Sequence, residues 1–275
     1  MTDRSHSMQP DCLLLAAVLV LSAWFAAPST AIADTHSPEE AGLQIALEAR
    51  DRGTGFGDFT ARQTMVLRNR HGQESRRDVR IKILEVDDDG DRSMFVFDQP
   101  RDVKGTAFLV HAHRTEPDDQ WLYLPALKRV KRISSSNRSG SFMGSEFAYE
   151  DMTAQAVEKF TYMYLRDEAC GELTCSVTER IPVEKGSGYS RQVVWHDHDA
   201  FRIWKVEYYD RKDEHLKTLE ISDYQQYLDQ YWFAGTMTMM NHLTGKSTVL
   251  NWSDYEFQTG LDDGDFTQTS LRRAR

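Results

Sequence analysis

The side chains that could do chemistry in this chain are few, and each meets a competing explanation. His111 and His113 are two residues apart, as are His196 and His198, so each pair points to one face of an extended strand. Such pairs can ligate zinc, but a zinc centre needs a third ligand, and none can be assigned. Ser145 stands in Met-Gly-Ser-Glu-Phe, which lacks the strand-turn-helix setting of a nucleophile elbow. Glu146, Glu150 and Asp151 are close enough to form an acid–base pair; the edge of a charged loop would use the same residues. Asp87-Asp88-Asp89-Gly90-Asp91 has neither the terminal Glu nor the flanking helices of a calcium loop and reads as a solvated turn. Nothing here demands an enzyme, a cofactor or a metal, and none is expected. A hydrolase built on Glu146, Glu150 or Asp151 remains a minor alternative.

The two cysteines beyond the first apolar run, Cys170 and Cys175, close Cys-Gly-Glu-Leu-Thr-Cys. In an exported chain such a pair is expected to form a local disulfide. Export is indicated by Leu13 to Ala27, an apolar run of about 15 residues against the roughly 20 that a membrane span needs. Ala31-Ile32-Ala33 then gives the small-x-small pattern of a cleavage site. Residues 1–33 are read as a signal peptide, with an uncleaved anchor as the competing reading, and 34–275 as a single domain. The formal charge of −10 argues against nucleic acid as a partner.

Elements that could position these residues are mostly strands. Ser37-Pro38-Glu39-Glu40 is a helix start with a cap, a first-position proline and a capping-box acid, and that helix should end near Arg52-Gly53. Gly53, Gly55 and Gly57 read as a flexible joint. From Phe59 the apolar period becomes two. About eleven strands follow, joined by short turns, which indicates an antiparallel meander without βαβ units. A sheet this large with few helices closes on side chains alone or curls around a ligand cavity; its size favours the cavity.

The most distinctive stretch runs from 118 to 152. Trp121-Leu122-Tyr123-Leu124 is an apolar strand, 128–132 (Lys-Arg-Val-Lys-Arg) is basic, and Ser141 to Asp151 mixes large apolar residues with small and acidic ones. The basic block is a solvated strand face or a contact for an anionic partner. Asp119 to Ile133 and Ser-Phe-Met-Gly-Ser-Glu-Phe-Ala-Tyr-Glu-Asp-Met at 141–152 resemble the signature of the outer membrane lipoprotein-sorting protein family, which is similar in fold to the periplasmic carriers LolA and LolB. Gly55 to Asp58, Pro100 to Thr106 and Thr248 to Leu271 support the likeness, and Glu146 departs from the Asp expected there.

The resemblance implies a mainly β (α+β) fold: a curved antiparallel unclosed barrel with helices and loops lidding an apolar cavity. It implies a periplasmic protein of a Gram-negative bacterium that carries a lipid or lipoprotein cargo, meets a membrane surface transiently, acts as a monomer and serves an RND/MMPL-type exporter. A non-enzymatic adaptor of a transporter, without cargo, is the alternative. Trp121, Tyr123, Phe142, Met143, Phe147 and Tyr149 are expected at the lid and cavity mouth, with 134–152 as a mobile lid. Arg129 and Arg132 are expected to meet a headgroup or partner.

Overall fold

A computed structural model describes residues 36–274; the expected signal segment 1–33 and its cleavage site lie outside them. The described chain begins with α1 (Pro38–Gly53). The predicted capping box is present: Ser37 accepts from the Glu40 amide and Glu40 from the Ser37 amide. Gly42 of α1 lies so close to strand backbone that a Cβ there would come within 2.7 Å of Met163.

Fifteen strands follow. The first six, β1 (Asp58–Arg68), β2 (Glu74–Leu84), β3 (Arg92–Gln99), β4 (Ala107–His111), β5 (Asp119–Leu124) and β6 (Arg129–Arg132), pair in sequence order. The next five do the same: β7 (Phe160–Cys170), β8 (Leu173–Pro182), β9 (Tyr189–Asp197), β10 (Ile203–Asp210) and β11 (His215–Ser222). A small hairpin, β12 (Gln225–Tyr227) and β13 (Tyr231–Phe233), stands apart. β14 (Thr236–Asn241) and β15 (Ser247–Phe257) then join the two halves, because β15 pairs with β1 and β14 with β11. The result is one antiparallel sheet of 13 strands whose edges are β6 and β7.

The edges do not pair with each other, so the barrel is unclosed. Residues 133–159 fill the seam. Lys159 bonds Asp118 across it, with side chains 13% and 4% exposed; Arg138 bonds Glu184. The concave face carries the main core, from Met65, Phe95 and Phe108 through Phe142 and Phe147 to Tyr208, Met239 and Leu250. The other face of β3–β5 is covered by α2 (Gln268–Arg273) and the turn before it, through Leu271 and Phe266. Cys170 and Cys175 are disulfide-bonded at the β7–β8 hairpin, as expected.

The antiparallel meander puts alternate turns at opposite ends. The β1–β2, β3–β4, β5–β6, β8–β9, β10–β11 and β14–β15 connections share one end. The β2–β3, β4–β5, β7–β8 and β9–β10 connections and the β12–β13 hairpin share the other. The predicted glycine joint is not loose: Gly55 and Gly57 take positive φ, and their amides both donate to the Glu85 carboxylate.

Candidate functional site

The segment predicted as a mobile lid is a plug seated inside the curved sheet. Phe142 and Phe147 are 1% and 3% exposed. Phe142 packs against Phe108 with centroids 5.0 Å apart, and against Tyr149 at 5.5 Å. Its backbone is held from strands distant in sequence: Arg77 donates to the Met143 carbonyl, the Glu146 amide to Thr248 Oγ1 (3.0 Å), and Gln120 to the Tyr149 carbonyl (3.0 Å). Lys217, 3% exposed, donates to the Glu146 carbonyl (2.9 Å) and to Asp151 Oδ2 (2.6 Å). A buried, paired ammonium holds the segment strongly, because releasing it would strand a charge. Non-local anchors of this kind are invisible to a reading of local composition.

The plug closes the end that carries the β1–β2 and β14–β15 turns. The other half of the concavity remains open as a cavity of about 890 Å³, within the range of ligand sites. Its walls are Phe59, Phe95, Ile221, Met237, Leu250 and Trp252, and Phe147 and Met152 of the plug form its floor. An aromatic layer frames the mouth, where Phe59 lies 5.2 Å from Phe233, and Phe233 lies 5.4 Å from Tyr255. The β12–β13 hairpin contributes Trp232, whose ring sits 4.6 Å from the Arg202 guanidinium. Arg202 also donates to Asp197 (2.7 Å), and Arg52 of α1 donates to the Asp199 carbonyl (2.9 Å). The rim is therefore polar and the wall apolar, which suits an amphiphile.

Asp51, Asp91, Asp151, Asp199 and Asp229 all border the cavity, and Asp91 is the one whose pKa is raised to about 6. Burial first, and the Glu85 carboxylate second, push it up. The carboxylates weighed as acid–base candidates are partly buried and each is committed to its own partners. Asp151 accepts from Lys217, the Tyr189 hydroxyl (2.8 Å) and the Ala148 amide (2.7 Å). Glu150 accepts from Ser187 (2.8 Å) and the Gly188 amide (2.9 Å), and burial raises its pKa. Glu146 accepts from Asn241 (2.8 Å). These partners draw the three apart, so they do not converge on one reacting atom. Ser145 donates to the Phe142 carbonyl (2.7 Å).

The histidine pairs also separate. His111 bonds the Phe266 carbonyl, while His113, beyond the end of β4, bonds Asp89 (both 2.6 Å). His196 is buried, which with the Arg180 charge lowers its pKa to about 3; His198 lies in a turn beside Ser176 and Asp167.

Of the residues expected at the mouth, Phe147 lines the cavity. Phe142, Met143 and Tyr149 fill the closed half instead. Trp121 and Tyr123 require a correction. They lie on the other face of β5, against the cluster that α2 covers, while Leu122 and Leu124 point to the concave side. Arg129 is exposed on the edge strand; Arg132 is bonded to Asp119. The cavity residues missed by sequence are Phe56, Phe59, Ile221, Met237, Trp252 and Tyr255. For Trp252 and Tyr255 the signal was the density of aromatics between 231 and 257; nothing local marked the others.

A family model described as "-like: Uncharacterized protein" matches residues 89–273. No curated protein matches the sequence. Among solved structures, an outer membrane lipoprotein-sorting protein domain from Vibrio parahaemolyticus is 55% identical, with a TM-score of 0.84; the match covers 86% of this chain and 100% of that one. A DUF1329 family protein from Desulfovibrio piger is 31% identical with a TM-score of 0.82, over 86% of this chain and 100% of that one. A LolA superfamily protein from Nitrosomonas europaea shares the fold at 20% identity and a TM-score of 0.68, over 83% and 99% of the two chains. The unclosed curved sheet is the expected LolA-like architecture, and this chain belongs to the family of outer membrane lipoprotein-sorting proteins.

Proposed function

We propose that this protein is a periplasmic, non-enzymatic carrier that shields a lipid or the acyl part of a lipoprotein while it crosses water toward the outer membrane. The observation that carries this reading is the cavity of about 890 Å³, with an apolar wall, a polar rim and one closed end. An acyl chain gains about 0.8 kcal/mol per buried CH₂, so such a wall supplies affinity, while a rim of Arg52, Arg202 and Gln226 faces the cargo's polar group. The names of the relatives support the same reading, as does the secretory signal read in residues 1–33. Delivery by an RND/MMPL-type exporter is part of the proposal; the chain acts as a monomer.

The mouth, and not the plug, is the part that opens. The contacts first assigned to Trp121 and Tyr123 therefore pass to Phe59, Met237 and Trp252, with Phe147 at the floor. The test is native mass spectrometry of the protein purified from the periplasm, with lipid extraction of what accompanies it. The carrier reading expects a lipid or acylated peptide at close to one per chain. Met237→Trp, which narrows the cavity at its wall, should lower that occupancy, and Trp121→Ala with Tyr123→Ala should leave it in place. A clean unliganded mass that persists after incubation with membrane lipids would overturn the carrier in favour of a cargo-free adaptor of a transporter.

A further inference from the structure

One stretch of the plugged end is basic, with Asp102 the one exposed acid on its four turns. At the plugged end, four neighbouring turns present exposed bases: Arg70 between β1 and β2, Arg101 and Lys104 between β3 and β4, Lys128 and Arg129 at the β5–β6 turn, and Lys246 between β14 and β15. None of these forms an ion pair among the described residues. The turns touch one another: a Cβ at Gly245 would lie 3.6 Å from Arg70, and one at Gly105 would lie 3.7 Å from Pro125. Two of these turns also carry an apolar residue at the tip. Leu127 is 67% exposed and Leu243 56%. The turns at the mouth end expose more acids than bases, with Asp87, Asp88, Glu116, Asp199 and Asp229 against Arg114.

We propose that the plugged end is a docking surface for an anionic phospholipid bilayer, with Leu127 and Leu243 entering the headgroup layer and the basic turns resting on it. Unpaired Lys and Arg on several separate tips suit a surface of spread negative charge. A bidentate site for one carboxylate would need them convergent and fixed. The two leucines lie six strands apart in the sheet, on the order of 25–30 Å along it at the usual strand spacing, and give two points of insertion. The acidic mouth is repelled by the same surface, so the molecule stands with its cavity facing away from the bilayer. This goes beyond the carrier reading, because it assigns a surface and an orientation independent of any cargo. Of the two arginines expected to meet a headgroup, it keeps Arg129 and sets aside Arg132, which is bonded to Asp119.

Vesicle flotation tests the proposal. Wild-type mature protein is mixed with vesicles of equal parts phosphatidylglycerol and phosphatidylcholine, and in parallel with phosphatidylcholine alone. Binding is expected to the anionic vesicles and to fall as salt rises through about 0.15 M, where the screening length is about 8 Å. Lys104→Gln with Arg129→Gln should weaken it by roughly fivefold for each residue changed. Leu127→Ser with Leu243→Ser should weaken it roughly tenfold and leave the salt dependence unchanged. All four positions are exposed, and melting temperatures confirm that the variants fold. Met237→Trp, which narrows the cavity, should bind vesicles like wild type, so that adsorption and cargo uptake are read separately. The proposal is overturned if wild type ignores anionic vesicles at low salt, if the basic-residue variant binds equally well, or if narrowing the cavity with Met237→Trp removes binding. Retention by an acidic protein without vesicle binding would overturn it in favour of a protein partner.

Discussion

Asp91 ties the cavity wall to pH. Its folded pKa of about 6 lies above the ordinary 3.8, so the folded state takes up a proton between those values. Ionised Asp91 therefore costs stability above pH 6, and the cost is relieved as pH falls toward 4. Asp91→Asn is expected to raise stability at pH 7.5 by up to about 3 kcal/mol and to change nothing near pH 4. Urea unfolding at the two pH values measures this, and equal gains at both would show that the wall does not disfavour the charge. The groups that face Asp91 are Glu85, Arg92 and Arg114. Only the acidic turn around Asp91 was legible in the sequence. Its burial was not, because that depends on Ala112, whose amide bonds the Asp91 carbonyl from the next hairpin.

Element by element, legibility followed the range of the forces involved. The capping box at Ser37 and the period of two from Phe59 are local patterns, and β1 runs where that period begins. Face assignment in β5 was harder. Trp121, Leu122, Tyr123 and Leu124 are all apolar, so alternation cannot say which pair points inward. The answer came from α2, six residues long, whose Leu271 covers the outer face. The plug was the largest difference. Ser, Gly and aromatic residues together look mobile, yet Lys217, Thr248 and Arg77 fix the segment from more than 60 residues away in sequence. Lys217→Met is expected to cost about 3–5 kcal/mol by leaving Asp151 buried without its cation, and adding Asp151→Asn should recover part of that loss. A double-mutant cycle followed by denaturant unfolding gives the coupling; additive effects would mean that the plug is held by packing alone.

In the molecule as a whole, one unpaired seam sets where the sheet can open. Lys159, just before β7, and Asp118, just before β5, bridge it. Lys159→Met is expected to raise amide exchange in β6 and in the first residues of β7 while the central strands β1 and β15 stay protected. Uniform exchange across the sheet would show that the seam contributes nothing of its own. The overall architecture was legible because an antiparallel meander follows sequence order. Its two-way course was not, since nothing local announces that β15 must return to pair with β1.

That return has a consequence for how the protein comes into being. The chain lays down β1 to β6 outward in one direction and β7 to β11 in the other, as two fans of strands with mostly local pairing. Phe59 meets Phe257 only when the final strand is delivered, and long-range pairings of this kind form late. A chain made N-terminus first has no cavity until its last strand is in place. On the carrier reading proposed above, loading can then begin only on a finished protein.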